Sequence, residues 1–213
     1  TWAVPHDASG LIELFGGAEK TVKKLDQMLA LPPRFEVGSY NSEIHEMTEM
    51  AAVDFGQYAH SNQPVHHVLY LYAYAGRAHQ TQYWVRRVLD ELYQPTMFCG
   101  DEDNGEMASW YIFSALGFYP FCPGHPSYVL GSPLFKKATI NLPNGNKLTI
   151  EAPNNAPNNP YVQWIMLNGD AHSAADLTHE NIIQGGTLEF VMTDQPVRRP
   201  VADKDLPFSL SNE

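Results

Sequence analysis

The stretch Cys99–Gly124 reads CGDEDNGEMASWYIFSALGFYPFCPG, an acidic run joined directly to an aromatic and apolar segment. The apolar part predicts a helix that opens after the acids at Asp101 and runs to Leu116, carrying Met107, Trp110, Tyr111 and Phe113. Gly117 and Pro120 end it, because glycine suits the turn past a helix and proline cannot continue one. Working back along the chain, Val22, Leu25, Met28 and Leu29 recur at helical spacing, and Pro32-Pro33 stops that helix. A further helix is expected from Pro64, through Val68, Leu71 and Tyr72, to Gly76, since proline suits a first-turn position. Another covers His79 to Tyr93, with Trp84, Val88 and Leu92 on one face. Long connections, Pro33–Ile44 and Gln94–Asp103, separate these helices, and such loops on a helical scaffold are where sites tend to sit.

Forward of Gly131 the pattern turns to β. Ala138, Ile140 and Leu142 alternate with polar residues, Asn144-Gly145 marks a turn, and Leu148 and Ile150 continue the alternation. Tyr161–Leu167 before Asn168-Gly169, and Leu188, Phe190 and Met192 after Gly185-Gly186, supply further strands. The proline-rich, charged stretch from Gln195 reads as an extended terminus. The expected fold is mainly α and then β: helices over residues 1–135, then a small antiparallel β-unit and a tail over residues 136–213. A few helices and one hairpin layer make a poor self-contained core, so a piece of something larger is expected.

Composition narrows the function. The chain has 213 residues, a length for one large domain or two small ones, and 44% of them are hydrophobic, enough for a sizeable core. Thirteen Lys and Arg against 24 Asp and Glu leave 13 − 24 = −11, which argues against a nucleic-acid or anionic-membrane surface. Two cysteines, Cys99 and Cys122, exclude a disulfide scaffold and a zinc cluster. No apolar run reaches the roughly 18 residues of a membrane span. No signal-peptide pattern opens the chain, and the start at Thr1 reads as a mature or truncated piece.

Three clusters carry candidate chemistry. In Asp101-Glu102-Asp103-Asn104-Gly105-Glu106, Asp103 or Asn104 could simply cap the following helix. Four acids within six residues exceed what capping needs, because they repel one another. A calcium EF-hand loop is excluded, since Gly105 stands at the fifth position, where a ligand is required. The second cluster, His45-Glu46 within HEMTEM, lacks the second histidine of a zinc protease, and taken alone it reads more readily as an exposed pair at a helix start than as a metal site. The third, Ser61-Asn62-Gln63-Pro64-Val65-His66-His67, offers side-chain oxygens from Asn62 and Gln63 for a hard cation or a sugar hydroxyl. Its adjacent histidines point to different helix faces, so at least one belongs to the core. Trp2, Trp84, Trp110, Tyr40 and Tyr58 supply rings for stacking on sugars, although helical Trp84 and Trp110 suit the core better. No phosphate loop, serine elbow or Cys–His nucleophile stands out.

The strings VPHDASGLIELFGG (Val4–Gly17), SNQPVHHVLYLYAYAG (Ser61–Gly76), Cys99–Gly124, YVLGSPLFKKATI (Tyr128–Ile140) and LTHENIIQGGTLEFVM (Leu177–Met192) resemble glycoside hydrolase family 92. The family comprises exo-acting, calcium-dependent α-mannosidases that invert the anomeric centre. The likeness runs collinearly from Thr1 to about residue 194 and falls on the C-terminal part of the family's longer chain. It implies part of an (α/α)6 barrel followed by the β-unit, without the family's N-terminal β-sandwich. It further implies Asp101 and Asp103 as general-base carboxylates, and a calcium site drawing on Asn62, Gln63 and Asp103. Gln63 stands where the family more commonly has Glu. His45 and Glu46 match the string by which α-1,2-selective members contact the leaving sugar. The family's general acid, in a Glu-Gly…Gln-Tyr string, falls before the position of Trp2, so this chain carries the base half and is expected to be inactive alone. Expected partners are α-linked mannose oligosaccharides or N-glycans and the N-terminal remainder of the same protein, in an extracytoplasmic setting. The competing readings are a non-catalytic carbohydrate-binding fragment and an inverting glycosidase of other specificity on the same barrel.

Overall fold

Among the described residues the chain forms seven α-helices, most of them following the apolar spacing of the sequence. The computed structural model describes residues 1–198 and 201–212. Helix α1 (Ala8–Leu14) starts at Asp7, whose carboxylate accepts from the Gly10 amide at 3.1 Å. In α2 (Ala18–Ala30), Val22, Leu25 and Leu29 turn inward, and the helix stops before Pro32-Pro33 as expected. Helix α3 (His45–Ala52) carries HEMTEM, and α5 (Ala78–Glu91) buries Val85, Val88 and Leu89. Helix α6 (Glu106–Leu116) buries Met107, Trp110 and Ser114 and is ended by left-handed Gly117.

The helix expected from Pro64 to Gly76 is instead broken. Single 3₁₀ turns at Gln63–Val65 and Val68–Tyr70 lead into the four-residue α4 (Leu71–Tyr74). The segment from Val68 to Ala75 is buried on every side. Packing from all directions, rather than helical periodicity, therefore sets its path.

The strands form two sheets. An antiparallel trio orders β1 (Phe118–Tyr119), β2 (Ser127–Leu130) and β7 (Asp176–Thr178). The larger sheet has the order β3-β4-β8-β5-β6, from Lys137–Asn141, Lys147–Glu151, Gly186–Thr193, Tyr161–Leu167 and Asp170–Ala171 respectively. The hairpin expected around Asn144-Gly145 joins β3 and β4. The unit is nevertheless mixed, not purely antiparallel, because β4 and β8 pair in parallel from Leu148↔Gly186 to Glu151↔Glu189. Helix α7 (His179–Gln184) lies between β7 and β8, its start closed by a reciprocal Thr178–Asn181 capping box.

One core gathers the helices around Leu25, Tyr72, Val85 and Trp110, and a second gathers the sheets around Leu148, Leu188 and Phe190. The tail is not extended. It folds into turns at Asp203–Asp205 and Leu210–Asn212, buries Ser209, and returns to α1. There Ser209 and Ser211 hydroxyls donate to the Asp7 carboxylate at 2.7 and 2.6 Å.

Candidate active site

The acidic run folds as a strained turn, not as an extra helical turn. Asp103, Asn104 and Gly105 have φ of 52°, 57° and 98°, three successive residues in the left-handed region. Such a backbone costs a non-glycine residue roughly 1–2 kcal/mol each, so neighbouring bonds must hold it. Glu102 supplies two of them: its carboxylate accepts from the amides of Gly105 and Ala108 and so serves as the cap of α6. The capping role offered above to Asp103 or Asn104 thus falls to Glu102. Asp101 and Asp103 are left exposed, and among the described residues neither carboxylate has a hydrogen-bond partner.

The Ser61–Gln63 segment lies directly against this turn. The Gln63 Nε2 donates to the Asp101 carbonyl at 2.7 Å. Gly100 packs so closely on Ser61 that a Cβ there would stand 2.5 Å from the Ser61 Cβ and 2.8 Å from its Cα. The Ser61 hydroxyl is buried without a partner. Since the Gln63 nitrogen is occupied, its Oε1 remains the free end. The side-chain oxygens of Asn62, Gln63 and Asp103 are hard donors of the type that suits a cation such as calcium, and the orphaned Ser61 hydroxyl lies in the same segment. Among the described residues no three His, Cys, Asp or Glu side chains converge on one point, so calcium here would need further oxygens to reach its six to eight.

Helix α3 carries the remaining pair of expected site residues, His45 and Glu46. Both His45 ring nitrogens face carboxylates, Nδ1 at 3.1 Å from Glu49 and Nε2 at 3.5 Å from Glu46. The Glu49 hydrogen bond raises the His45 pKa, and the charges of Glu46, Glu49 and Asp101 add to it. The Asp101 contribution places the imidazole within the field of the acidic turn. A hydrogen bond thus joins the Asn62–Gln63 segment to the Asp101–Asp103 turn, while His45 and Glu46 are linked to it through the charge of Asp101 alone. A cleft of about 630 Å³ between α2 and α5 is lined by none of them. Cys99 is not a nucleophile, because burial pushes its thiol up to about 11.

Beneath the turn lies a histidine network that single-residue inspection missed. The His66 Nε2 faces the His60 carbonyl at 3.0 Å, and a carbonyl only accepts, so Nε2 carries the hydrogen. Its Nδ1 faces Glu106 Oε1 at 3.2 Å. The His60 ring stacks on His66 at 4.5 Å between centroids. Its own nitrogens meet the hydroxyls of Tyr58 and Tyr93, each at 2.9 Å. Tyr93 passes its hydrogen to the Met107 carbonyl, so His60 donates through Nε2 and accepts through Nδ1 from Tyr58. Complete burial holds His60 well below its usual pKa, hence neutral. Burial also lowers His66, with the His60 carbonyl and Glu106 pulling the other way. His67 is likewise buried, donating to the Trp2 carbonyl at 2.8 Å. The clustering of Tyr58, His60, His66 and His67 around SNQP was the available signal; Tyr93 and Glu106 come from distant segments.

A sequence model of the glycosyl hydrolase family 92 catalytic domain matches residues 1–194. The chain belongs to this family. A family GH92 inverting mannosidase from Bacteroides thetaiotaomicron superposes with a TM-score of 0.83 at 47% identity, over 99% of this chain and 29% of that one. A family GH92 α-mannosidase from the same organism, in complex with mannoimidazole, gives a TM-score of 0.86 at 34% identity, over 98% of this chain and 27% of that one. An uncharacterized secreted glycosidase of Arthroderma benhamiae is 28% identical over 212 residues, 97% of this chain and 24% of its own length. The family 92 chain described here thus spans about a quarter of the relatives it matches. Among the described residues no helix is long and apolar enough to cross a membrane.

Proposed function

We propose that this chain supplies the water-activating side of an inverting, calcium-dependent exo-α-mannosidase, selective for α-1,2 linkages in mannans or high-mannose N-glycans. The observation that carries this reading is the clamping of the Asp101–Asp103 turn onto the Asn62–Gln63 segment through the 2.7 Å bond from Gln63. It places two unencumbered carboxylates beside a set of oxygen donors, which is what single-displacement hydrolysis requires on the water's side of a sugar. Of the related structures, one is of an inverting mannosidase and another binds mannoimidazole, which supports the reaction class and the sugar.

Asp101 and Asp103 take the proton of the attacking water and hold that water in line with the anomeric carbon. One carboxylate acts as the base, and its neighbour orients the water through a second hydrogen bond. In an inverting enzyme the acid stands on the opposite face, about 6.5–9.5 Å away, leaving room for the water. That acid belongs to a Glu-Gly…Gln-Tyr string not found among these residues, so the chain alone leaves unactivated mannosides intact. Asn62, Gln63 and Asp103 would hold calcium, which when bound contributes positive charge at the sugar hydroxyls. Glu46 and His45 bind the leaving sugar and select its linkage. Residues 1–135 form part of an (α/α)6 barrel and residues 136–213 the β-unit behind it. The setting is extracytoplasmic, in keeping with the secreted relative.

The test is kinetic and stereochemical. In the full-length protein, Asp101→Asn and Asp103→Asn should each lower kcat on an α-mannoside by about 10²–10⁴-fold, the usual share of a positioned base. Proton NMR of the first product should show β-mannose. α-Mannose as the first product, or full activity in both variants, removes the assignment.

A further inference from the structure

The strained turn that carries Asp101 and Asp103 is tied at its start and middle by bonds already described. Gln63 holds the Asp101 carbonyl, Gly100 packs on Ser61, and Glu102 caps α6. At its far end the Glu106 and Met107 amides donate to the Asp103 and Glu102 carbonyls, and Glu106, the first residue of α6, adds a side-chain tie. Its carboxylate reaches across to His66, a residue 40 positions away on the element that begins with Asn62-Gln63.

His66 is a rigid anchor. Its side chain is 1% exposed, its ring lies on His60, and its carbonyl accepts from Trp110 Nε1 at 3.1 Å. The His60 ring beneath it is itself pinned from both sides by Tyr58 and Tyr93. With Nε2 bound to the His60 carbonyl, the one open valence of His66 is Nδ1, and it points at Glu106. The 3.2 Å between Oε1 and Nδ1 is hydrogen-bond distance, and an Nδ1 hydrogen on the ring would be donated to the carboxylate. Trp110, four residues on from Glu106, lies beside the same ring, so successive turns of α6 hold one imidazole.

We propose that Glu106 is a positioning residue for the family's hydrolytic reaction: its bond to the locked His66 ring sets the Asp101–Asp103 turn at its working distance from the Asn62–Gln63 segment. This rests on the functional reading above. Two residues separate Glu106 from Asp103, and the left-handed backbone between them would otherwise relax towards commoner conformations. A displacement of about 1 Å at a reacting group costs on the order of a hundredfold in rate.

The test uses the full-length protein carrying Glu106→Ala and Glu106→Gln, assayed on an aryl α-mannoside with hydrogen exchange measured over residues 100–107. Glu106→Ala should lower kcat about a hundredfold with KM within about threefold, and should speed exchange at the turn's amides. Glu106→Gln should recover kcat to within about fivefold and restore the slow exchange, because its amide reaches the same ring nitrogen with a hydrogen to donate. A glutamine variant as impaired as alanine, with exchange restored, would mean that the carboxylate acts in the chemistry itself, and the proposal falls. Unchanged kcat in Glu106→Ala also overturns it. If wild-type protein releases no mannose, the functional reading fails separately. Exchange unaltered by Glu106→Ala then refutes the tie on its own.

Discussion

Gly100→Ala would drive a wedge between the acidic turn and the segment that steadies it. Gly100 does not use the left-handed region, so alanine is tolerated by its backbone and the effect is purely steric. The new methyl would stand 2.5 Å from the Ser61 Cβ, against an ordinary contact of 3.4 Å, so the two loops must separate by about 3.4 − 2.5 = 0.9 Å. The Ser61 Cα and carbonyl, each at 2.8 Å, block escape sideways. Overpacking of this kind costs about 1–3 kcal/mol. Each kcal/mol lowers the Tm by about 2–4 °C in a chain of 150–250 residues, and by less in the longer full-length enzyme. The larger effect should fall on kcat, because a shift near 1 Å separates Asp101 from Gln63 and costs roughly a hundredfold. Steady-state kinetics of the full-length enzyme, with Tm by calorimetry, read both quantities. Gly131→Ala is the control, since its methyl would meet Tyr70 at an ordinary 3.4 Å and should change little. Adding Ser61→Gly to Gly100→Ala removes the worst contact and should restore part of kcat. A Gly100→Ala enzyme with wild-type kcat would show that the juxtaposition of the two loops has no part in catalysis.

Three further outcomes are expected. Chelation should abolish turnover and added calcium restore it, while Asn62→Ala raises the calcium concentration needed for half-maximal activity; turnover undiminished in chelator removes the metal from the reading. Glu46→Ala should impair hydrolysis of α-1,2-mannobiose far more than that of an aryl mannoside, since only the former has a leaving sugar to bind; equal losses on both would oppose that role. Finally, buried His60 stays neutral when folded but takes a proton near pH 6.5 when unfolded, so its contribution to stability is present above that pH and is lost as pH falls below it. The Tm should therefore drop between pH 7 and 5, and His60→Gln should flatten that slope; an unaltered slope would mean that other groups set it.

Periodicity revealed the elements whose burial is one-sided. The face of Val22, Leu25 and Leu29 in α2, and the alternation through Ile140, Leu148 and Ile150, each carry a period that belongs to one secondary structure. The segment after Pro64 failed this test because Val68–Ala75 is buried all round, leaving no polar face to report its turn. Parallel pairing of β4 with β8 was equally hidden, since alternation fixes which face of a strand is buried but not its partner. At the site, the residues that share a motif were found together, namely Asp101 with Asp103, Asn62 with Gln63, and His45 with Glu46. The bonds that set their geometry cross the chain: Gln63 to Asp101, Glu106 to His66, and Tyr93 to His60. Nothing in a local string encodes such pairs.

The return of the tail to α1 has a consequence for the order in which this structure is made. Asp7 is held by Ser209 and Ser211, partners more than 200 residues along the chain. Closing a loop of that length directly costs about 5 kcal/mol of chain entropy by the logarithmic rule, a cost that falls once the intervening cores have formed. The clasp therefore closes only after the intervening cores have brought its halves together. On a ribosome α1 would emerge about 200 residues ahead of Ser209 and Ser211, and wait for the last dozen described residues before acquiring its full set of partners. During unfolding the same seam should part before either core does, and amides near Gly10 and Ser211 should exchange ahead of those in α5 and β8.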